Sequence, residues 1–172
     1  MRRIIWYLLM VGVVAASDPG KQVPEFSVQL LNGETVSIND LIKDGPVLID
    51  FWATWCIPCK KEMRHLNTFQ KKYGKDGFTV LAISQDTPKS ASKVRSYIRS
   101  SRYEFLVGLD MNKQISQKLS AEVLPTTLLV DKEGNILWEH QGYLPGDEDE
   151  IENQIKAVLA GEENAGDSNT SK

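Results

Sequence analysis

The sequence predicts an α/β fold in which a central mixed sheet is flanked by helices. Asn32-Gly33 separates two runs of alternating apolar residues, which is typical of a β-hairpin because Asn-Gly tolerates the positive φ angles of a tight turn. Short apolar runs then alternate with amphipathic stretches over residues 47–119, a pattern that favours parallel strands with both faces covered. A turn at residues 131–135 predicts a second hairpin, which adds antiparallel strands at the edge of the sheet.

The individual elements follow from local periodicity and from turn residues. Met63, Leu66, Phe69 and Tyr73 recur at helical spacing, and four acidic residues open the last helix, where they suit a positive helix N-terminus. In order, we predict a hairpin over 26–38, a helix over 39–43 capped by Asn39, a strand over 47–52, a helix from the cysteines to residue 74, a strand over 78–83, an extra central helix over 89–101, a strand over 105–109, a weaker helix over 112–119, strands over 127–130 and 136–141, and a helix over 147–159.

The composition is that of a globular domain. The chain has 172 residues, of which 41% are hydrophobic and 25% charged, so we expect one domain over residues 18–159. The formal net charge of −3 shows no basic excess, which argues against nucleic acid as a partner. Residues 160–172 are polar and acidic, and we expect them to form a disordered tail.

The N-terminus has the pattern of a targeting segment. Arg2 and Arg3 form a basic start, residues 4–16 are apolar or small, and the end of the segment consists of the small residues Ala15, Ala16 and Ser17. The apolar run is shorter than the roughly 20 residues that a bilayer span needs. We therefore interpret residues 1–17 as a signal peptide or an N-terminal membrane anchor, and expect the domain to be exported to the periplasm or to the extracytoplasmic face of the membrane.

The two cysteines, Cys56 and Cys59, lie between a predicted strand and a predicted helix. Their i, i+3 spacing brings both side chains to the N-terminal end of that helix, where free N–H groups and a partial positive charge favour a thiolate. Cys56, before the helix, is the expected attacking sulfur, and Cys59, one turn in, is the expected resolving thiol. Pro58 fits the first helical turn, where a missing N–H has no cost. A redox dithiol of this kind needs no further cofactor.

Three other interpretations of the pair fit the sequence less well. A zinc site would need four ligands, and only His65 and His140 are left as candidates, at a spacing that matches no zinc-finger pattern. A structural disulfide that closes so short a loop would stabilise the fold little. Two buried inert thiols fit poorly with a polar helix-capping position.

Two acidic residues flank the pair. Asp50 interrupts an apolar strand, and alternation places it on the same face as Trp52; it is either buried, with a raised pKa suited to proton exchange with Cys59, or solvated at the sheet edge. Glu62 lies three residues after Cys59 on the same side of the helix, where it could accept a proton or tune the pair; the pattern alone favours a solvated glutamate paired with a lysine or arginine. Trp52 and Trp55 could form an apolar rim around the cysteines, although Trp52 could equally belong to the core.

The motifs resemble the thioredoxin superfamily. "WCIPCK" after a strand ending in "DFWA", together with "LPTT" before a final hairpin, carries this resemblance over roughly residues 23–159. "CKKE", "LPTTLLVDKEG", the N-terminal hairpin and the extra helix are similar to the TlpA/ResA/DsbE-like branch, whose members are exported thiol–disulfide oxidoreductases, often tethered to the membrane. The resemblance implies a thioredoxin-like fold.

The resemblance also implies roles for particular residues. Cys56 would be the nucleophile and Cys59 the resolving thiol. Pro125 would follow a cis peptide bond, and Trp55, Leu124, Pro125 and Thr126 would bind the partner's chain. Glu62 matches the acid that tunes the pair in that branch, whereas Asp50 matches the buried acid of thioredoxin itself, so which of the two acids carries the proton stays open.

These observations predict an exported thiol–disulfide oxidoreductase. Its expected partners are disulfide-bonded proteins, which it reduces, including in cytochrome c maturation, and a membrane-side electron donor; we expect a monomer. The alternatives are a disulfide oxidase or isomerase, a peroxiredoxin-like peroxidase, and a copper-delivery module in which His140 is a third ligand. A reduction potential, a peroxide turnover assay and a metal titration would separate them.

Overall fold

A computed structural model describes residues 21–169 of the chain, so the signal or anchor predicted at 1–17 lies outside the described residues. The strands are β1 Ser27–Leu30, β2 Thr35–Ser37, β3 Val47–Trp52, β4 Thr79–Ser84, β5 Leu106–Leu109, β6 Thr126–Val130 and β7 Ile136–Gln141. The helices are α1 Ile38–Leu41, α2 Ile57–Tyr73, α3 Ala91–Ser101, α4 Gln114–Lys118 and α5 Asp147–Asn169, with short 3₁₀ turns at Gly74–Asp76 and Pro88–Ser90. The order of elements is the predicted one.

The strands form one mixed sheet in the order β2-β1-β5-β4-β3-β6-β7. The three central strands β3, β4 and β5 pair in parallel, because helices return the chain to the same edge each time. The predicted hairpins lie at the two sides of this core: β1 pairs antiparallel with β2 and β5, while β6 pairs antiparallel with β3 and β7. The predicted mixed sheet flanked by helices is confirmed.

Strand β3 separates two apolar layers. Leu48 and Trp52 pack on one face with Met63 and Leu66 of α2, together with side chains of α3 and α5. Ile49 and the other odd-numbered residues of β3 pack on the opposite face against α1 and α4. The predicted alternation is therefore confirmed, and Asp50 lies on the face that α2 covers.

Two details differ from the prediction. Ser37, not Asn39, caps α1: its backbone is extended immediately before the helix, and its hydroxyl accepts the Asn39 N–H at 3.1 Å. The last helix continues past Leu159 to Asn169, into the segment predicted to be a disordered tail.

Gly108 leaves room for the Val28 side chain of the neighbouring strand β1, with which β5 pairs. A Cβ added at this position would lie 2.5 Å from Val28 Cγ2, and Val28 is itself buried. We expect Gly108→Ala to lower the free energy of unfolding by about 2 kcal/mol, because side chains must move in a closely packed layer. Urea unfolding measures this change.

Gly161→Ala is the control without crowding, since the added Cβ has open space around it; it should cause no loss of stability, because alanine favours a helix more than glycine does. The loss at Gly108 should shrink when Val28 is also replaced by alanine. An equal loss in both backgrounds would show that crowding against Val28 is not its cause.

Candidate active site

Both cysteines lie at the N-terminus of α2, immediately beyond the end of β3. Cys56 is the N-cap of the helix, and the Cys59 N–H points at its Sγ at 3.3 Å. The two sulfurs form a disulfide. Cys56 is 4% exposed and Cys59 is fully buried. The assignment of Cys56 as the attacking sulfur stays a prediction.

The rim of this opening is apolar. Trp55 and Ile57, which flank Cys56 in the sequence, are 68% and 71% exposed. Trp52 is instead fully buried, with its ring centroid 5.5 Å from that of Tyr97. Of the two tryptophans weighed for the rim, only Trp55 therefore lies at the surface.

The turn that carries Trp55 is held by Asp86, a residue that the sequence analysis did not select. Its carboxylate accepts hydrogen bonds from the Thr54 N–H at 2.7 Å and the Thr54 hydroxyl at 2.6 Å. The Ser84 hydroxyl at the end of β4 also donates to Asp86, at 2.9 Å. The signal was present in the sequence, because parallel neighbours such as β3 and β4 end at the same edge of a sheet, so polar residues after β4 lie beside the turn after β3.

The start of β6 meets the end of β3. Thr126 pairs with Phe51 in the antiparallel register, and the peptide bond between Leu124 and Pro125 is cis, as the resemblance implied. The Thr126 hydroxyl donates to the Val123 carbonyl at 2.6 Å, within the same turn. The parts assigned to Leu124, Pro125 and Thr126 in binding a partner's chain stay predictions.

Asp50 and Glu62 are both fully buried, so the solvated alternatives for these residues are wrong. Asp50 lies in the middle of the sheet and pairs in register with Ala82 on one side and Thr127 on the other. Glu62 projects from the buried face of α2, and its Oε1 accepts a hydrogen bond from the Thr127 hydroxyl at 2.6 Å. Both candidate acids are therefore neighbours of Thr127.

Burial dominates the electrostatics of these two acids. It raises the pKa of Asp50 well above its usual range, and the nearby Glu62 charge adds to this effect. Burial also raises the pKa of Glu62 to about 7, against the opposing effect of the Thr127 hydrogen bond, while the charge of Asp147 raises it further. Three carboxylate oxygens have no hydrogen-bond partner among the described residues: both oxygens of Asp50 and the Oε2 of Glu62.

The two histidines considered as metal ligands lie against acids of the last helix. His65 Nε2 is 3.9 Å from Glu148 Oε1, and His140 Nε2 is 3.2 Å from Asp147 Oδ2. Within the part of the chain that the structure describes, no group of three or more His, Cys, Asp or Glu side chains could hold a metal ion. His140 is therefore not placed as a third ligand beside the cysteines.

No described helix is long and apolar enough to cross a membrane.

Comparison with known proteins gives consistent results. The model of the AhpC/TSA family matches residues 19–139. The thiol-disulfide oxidoreductase ResA of Bacillus thuringiensis is 31% identical over 152 residues, which cover 81% of this chain and 86% of ResA. The thioredoxin-like protein YneN of Bacillus subtilis is 36% identical over 124 residues, which cover 72% of this chain and 71% of YneN.

A solved structure shares the fold. The crystal structure of a putative thiol:disulfide interchange protein DsbE from Chlorobium tepidum aligns with a TM-score of 0.76 at 31% identity. The alignment covers 84% of this chain and 99% of that protein.

Proposed function

Because the chain belongs to the AhpC/TSA family and is a thiol–disulfide oxidoreductase, we propose that its Cys56–Cys59 pair reduces disulfides in specific partner proteins. The observation that carries this proposal is the disulfide at the N-terminus of α2, in which Cys56 is 4% exposed and Cys59 is fully buried. The exposed Trp55 and Ile57 give the opening an apolar rim that suits the backbone and apolar side chains of a protein substrate.

The proposed reaction begins from the reduced pair. The Cys56 thiolate attacks one sulfur of the partner's disulfide, a mixed disulfide forms, and the other partner sulfur leaves as a thiolate that takes up a proton. The Cys59 thiol then gives its proton to a buried carboxylate, and its sulfur attacks Cys56 Sγ. The Cys56–Cys59 bond forms, the bond to the partner breaks, and the partner's second sulfur leaves and is protonated. The partner gains two electrons and two protons, and the pair becomes the disulfide seen here.

The pair must be reduced again after each cycle. We assign this step to a membrane-side dithiol donor, which would exchange its own two thiols for the Cys56–Cys59 disulfide. The basic start and apolar run of residues 1–17 support export, with the segment acting as a signal peptide or as an anchor beside such a donor. Partners in cytochrome c maturation are proposed on the resemblance to the TlpA/ResA/DsbE-like branch.

The mechanism predicts that Cys59→Ser traps partners as covalent mixed disulfides. Serine cannot resolve the intermediate, so the bond between Cys56 and the partner should persist until an external thiol is added. The variant is expressed in the native compartment, thiols are blocked with an alkylating reagent, and adducts are separated without reductant and identified by mass spectrometry.

The double variant Cys56→Ser, Cys59→Ser is the control, and it should trap no partner. Absence of adducts with Cys59→Ser, while the wild type turns over a disulfide substrate, would contradict the mechanism. The reduction potential then decides the direction: a value near thioredoxin's roughly −270 mV supports reduction of partners, whereas a value near −120 mV would identify an oxidant.

A further inference from the structure

A row of polar side chains crosses the sheet beneath α2. Asp50 on β3 is paired with Thr127 on β6, and Thr127 is paired with His140 on β7. Side chains that are directly opposite in neighbouring strands point to the same face, with Cβ atoms about 5 Å apart. Thr127 therefore stands between the buried acid of the central strand and the histidine of the edge strand, with Glu62 of α2 above it.

The Thr127 hydroxyl can serve only one of the two buried acids as a donor. A threonine has a single O–H, and this one donates to Glu62 Oε1 at 2.6 Å. No described group donates a hydrogen bond to either oxygen of Asp50. A buried carboxylate that accepts a hydrogen bond is stabilised in its charged form, whereas one without a donor is stable only when protonated. The Thr127 hydroxyl therefore stabilises the charged form of Glu62 but not that of Asp50.

We propose that Thr127 is a positioning residue that fixes the proton on Asp50 and leaves Glu62 as the carboxylate that takes the proton of Cys59. This inference rests on the proposed function and deepens it, because it assigns the proton step of that reaction to one of two candidate acids. Glu62 lies one helical turn beyond Cys59 on the buried face of α2, where i, i+3 side chains are neighbours.

The charged and titratable groups around Glu62 are consistent with this division. Asp50 faces it from β3, and Asp147 at the start of α5 raises its pKa by repulsion. Tyr143, on the preceding loop, donates its hydroxyl to Glu148 at 2.6 Å rather than to Glu62. His140 and His65 lie against Asp147 and Glu148, on the outer side of this group. Of the neighbours named here, only Thr127 donates a hydrogen bond to Glu62.

The test compares Thr127→Val, which has nearly the same shape but no hydroxyl, with Thr127→Ser, which keeps the donor. Carbon-13 NMR of the side-chain carboxyl groups, recorded on the oxidised protein over about pH 5 to 9, gives the titration midpoint of each acid. The midpoint near pH 7 should be absent in Glu62→Gln and present in Asp50→Asn. Thr127→Val should raise it by about one pH unit, because the charged form loses a hydrogen bond. Thr127→Ser should restore it.

A kinetic readout connects the titration to the reaction. The pre-reduced protein is mixed with an aromatic disulfide whose released thiolate is coloured; the first release reports the attack by Cys56, and the second reports resolution by Cys59. Near pH 7 the second phase should be about fivefold slower in Thr127→Val, because less Glu62 is ionised, and it should recover at higher pH. The first phase should not change. Thr79→Val, the same substitution in β4 at a position away from the acids, is the control for both readouts.

Two results would overturn the inference. One is an unchanged Glu62 midpoint in Thr127→Val together with an unchanged second phase. The other is a midpoint near pH 7 that vanishes in Asp50→Asn and persists in Glu62→Gln, which would give the exchanging proton to Asp50 even if Thr127→Val did not fold. The titration uses the oxidised protein without a partner, so the predicted pKa shift can be absent while Cys59→Ser still traps substrates. Failure of the trap alone would instead reject the proposed function.

Discussion

Replacing Cys56 by serine is expected to abolish disulfide reduction, with a loss of at least about a thousandfold, because the reaction loses its nucleophile. The same change should leave the fold intact. Cys56 caps α2 by receiving the Cys59 N–H, and serine is among the best residues for this position. Cys56→Ser therefore removes the nucleophile while it keeps the helix cap, since serine and cysteine have nearly the same size.

The coloured aromatic disulfide measures the result directly. The wild type should release thiolate in two phases, Cys59→Ser in one, and Cys56→Ser in neither, because Cys59 is fully buried and cannot replace Cys56 as the attacking group. Cys56→Ala is the structural comparison: it is equally inactive but also lacks the cap, so only this variant should show a reduced free energy of unfolding, by about 1 kcal/mol, relative to Cys56→Ser. Retained turnover in Cys56→Ser would place the nucleophile elsewhere.

The sequence was sufficient for the elements and for the position of the cysteines. The strand predicted over 47–52 has the same bounds as β3, and its alternation places Asp50 and Trp52 on one face. Such patterns are local, and they hold because a strand in the middle of a sheet must bury both faces. The Asn-Gly turn and the cysteine-to-helix junction are local in the same sense.

What the sequence could not supply were contacts that depend on the pairing of distant strands. The position of Thr127 beside Asp50 follows from the antiparallel register of β3 and β6, which no local pattern specifies. The burial of Glu62 is an intermediate case. It lies one turn from Cys59 and from Leu66 on the apolar face of α2, but a glutamate beside lysines is usually solvated, and only the packed sheet beneath it decides the matter.

Glu62→Gln is expected to stabilise the protein at pH 8 by about 3 kcal/mol and to have little effect near pH 4. The folded pKa of Glu62 is about 7, against an ordinary value of 4.5. Below about pH 4 the group is protonated in both the folded and the unfolded state, so it has no effect on stability. As the pH rises from there towards 7, the unfolded chain releases the proton while the folded protein retains it. Ionisation lowers the free energy of the unfolded state relative to the folded state, so the free energy of unfolding falls until the folded group also ionises.

Glutamine removes this loss because it does not ionise in either state, and its side-chain oxygen can still accept the Thr127 hydroxyl. Urea unfolding of the oxidised protein at the two pH values measures the difference, with the exposed Glu133→Gln as the control. Asp50→Asn should act in the same direction, since burial raises that pKa as well. Equal stability of Glu62→Gln and wild type at pH 8 would show that Glu62 is not destabilised by burial. The predicted gain would instead show that the fold retains a destabilising carboxyl beside Cys59, as expected of a group kept for proton transfer rather than for packing.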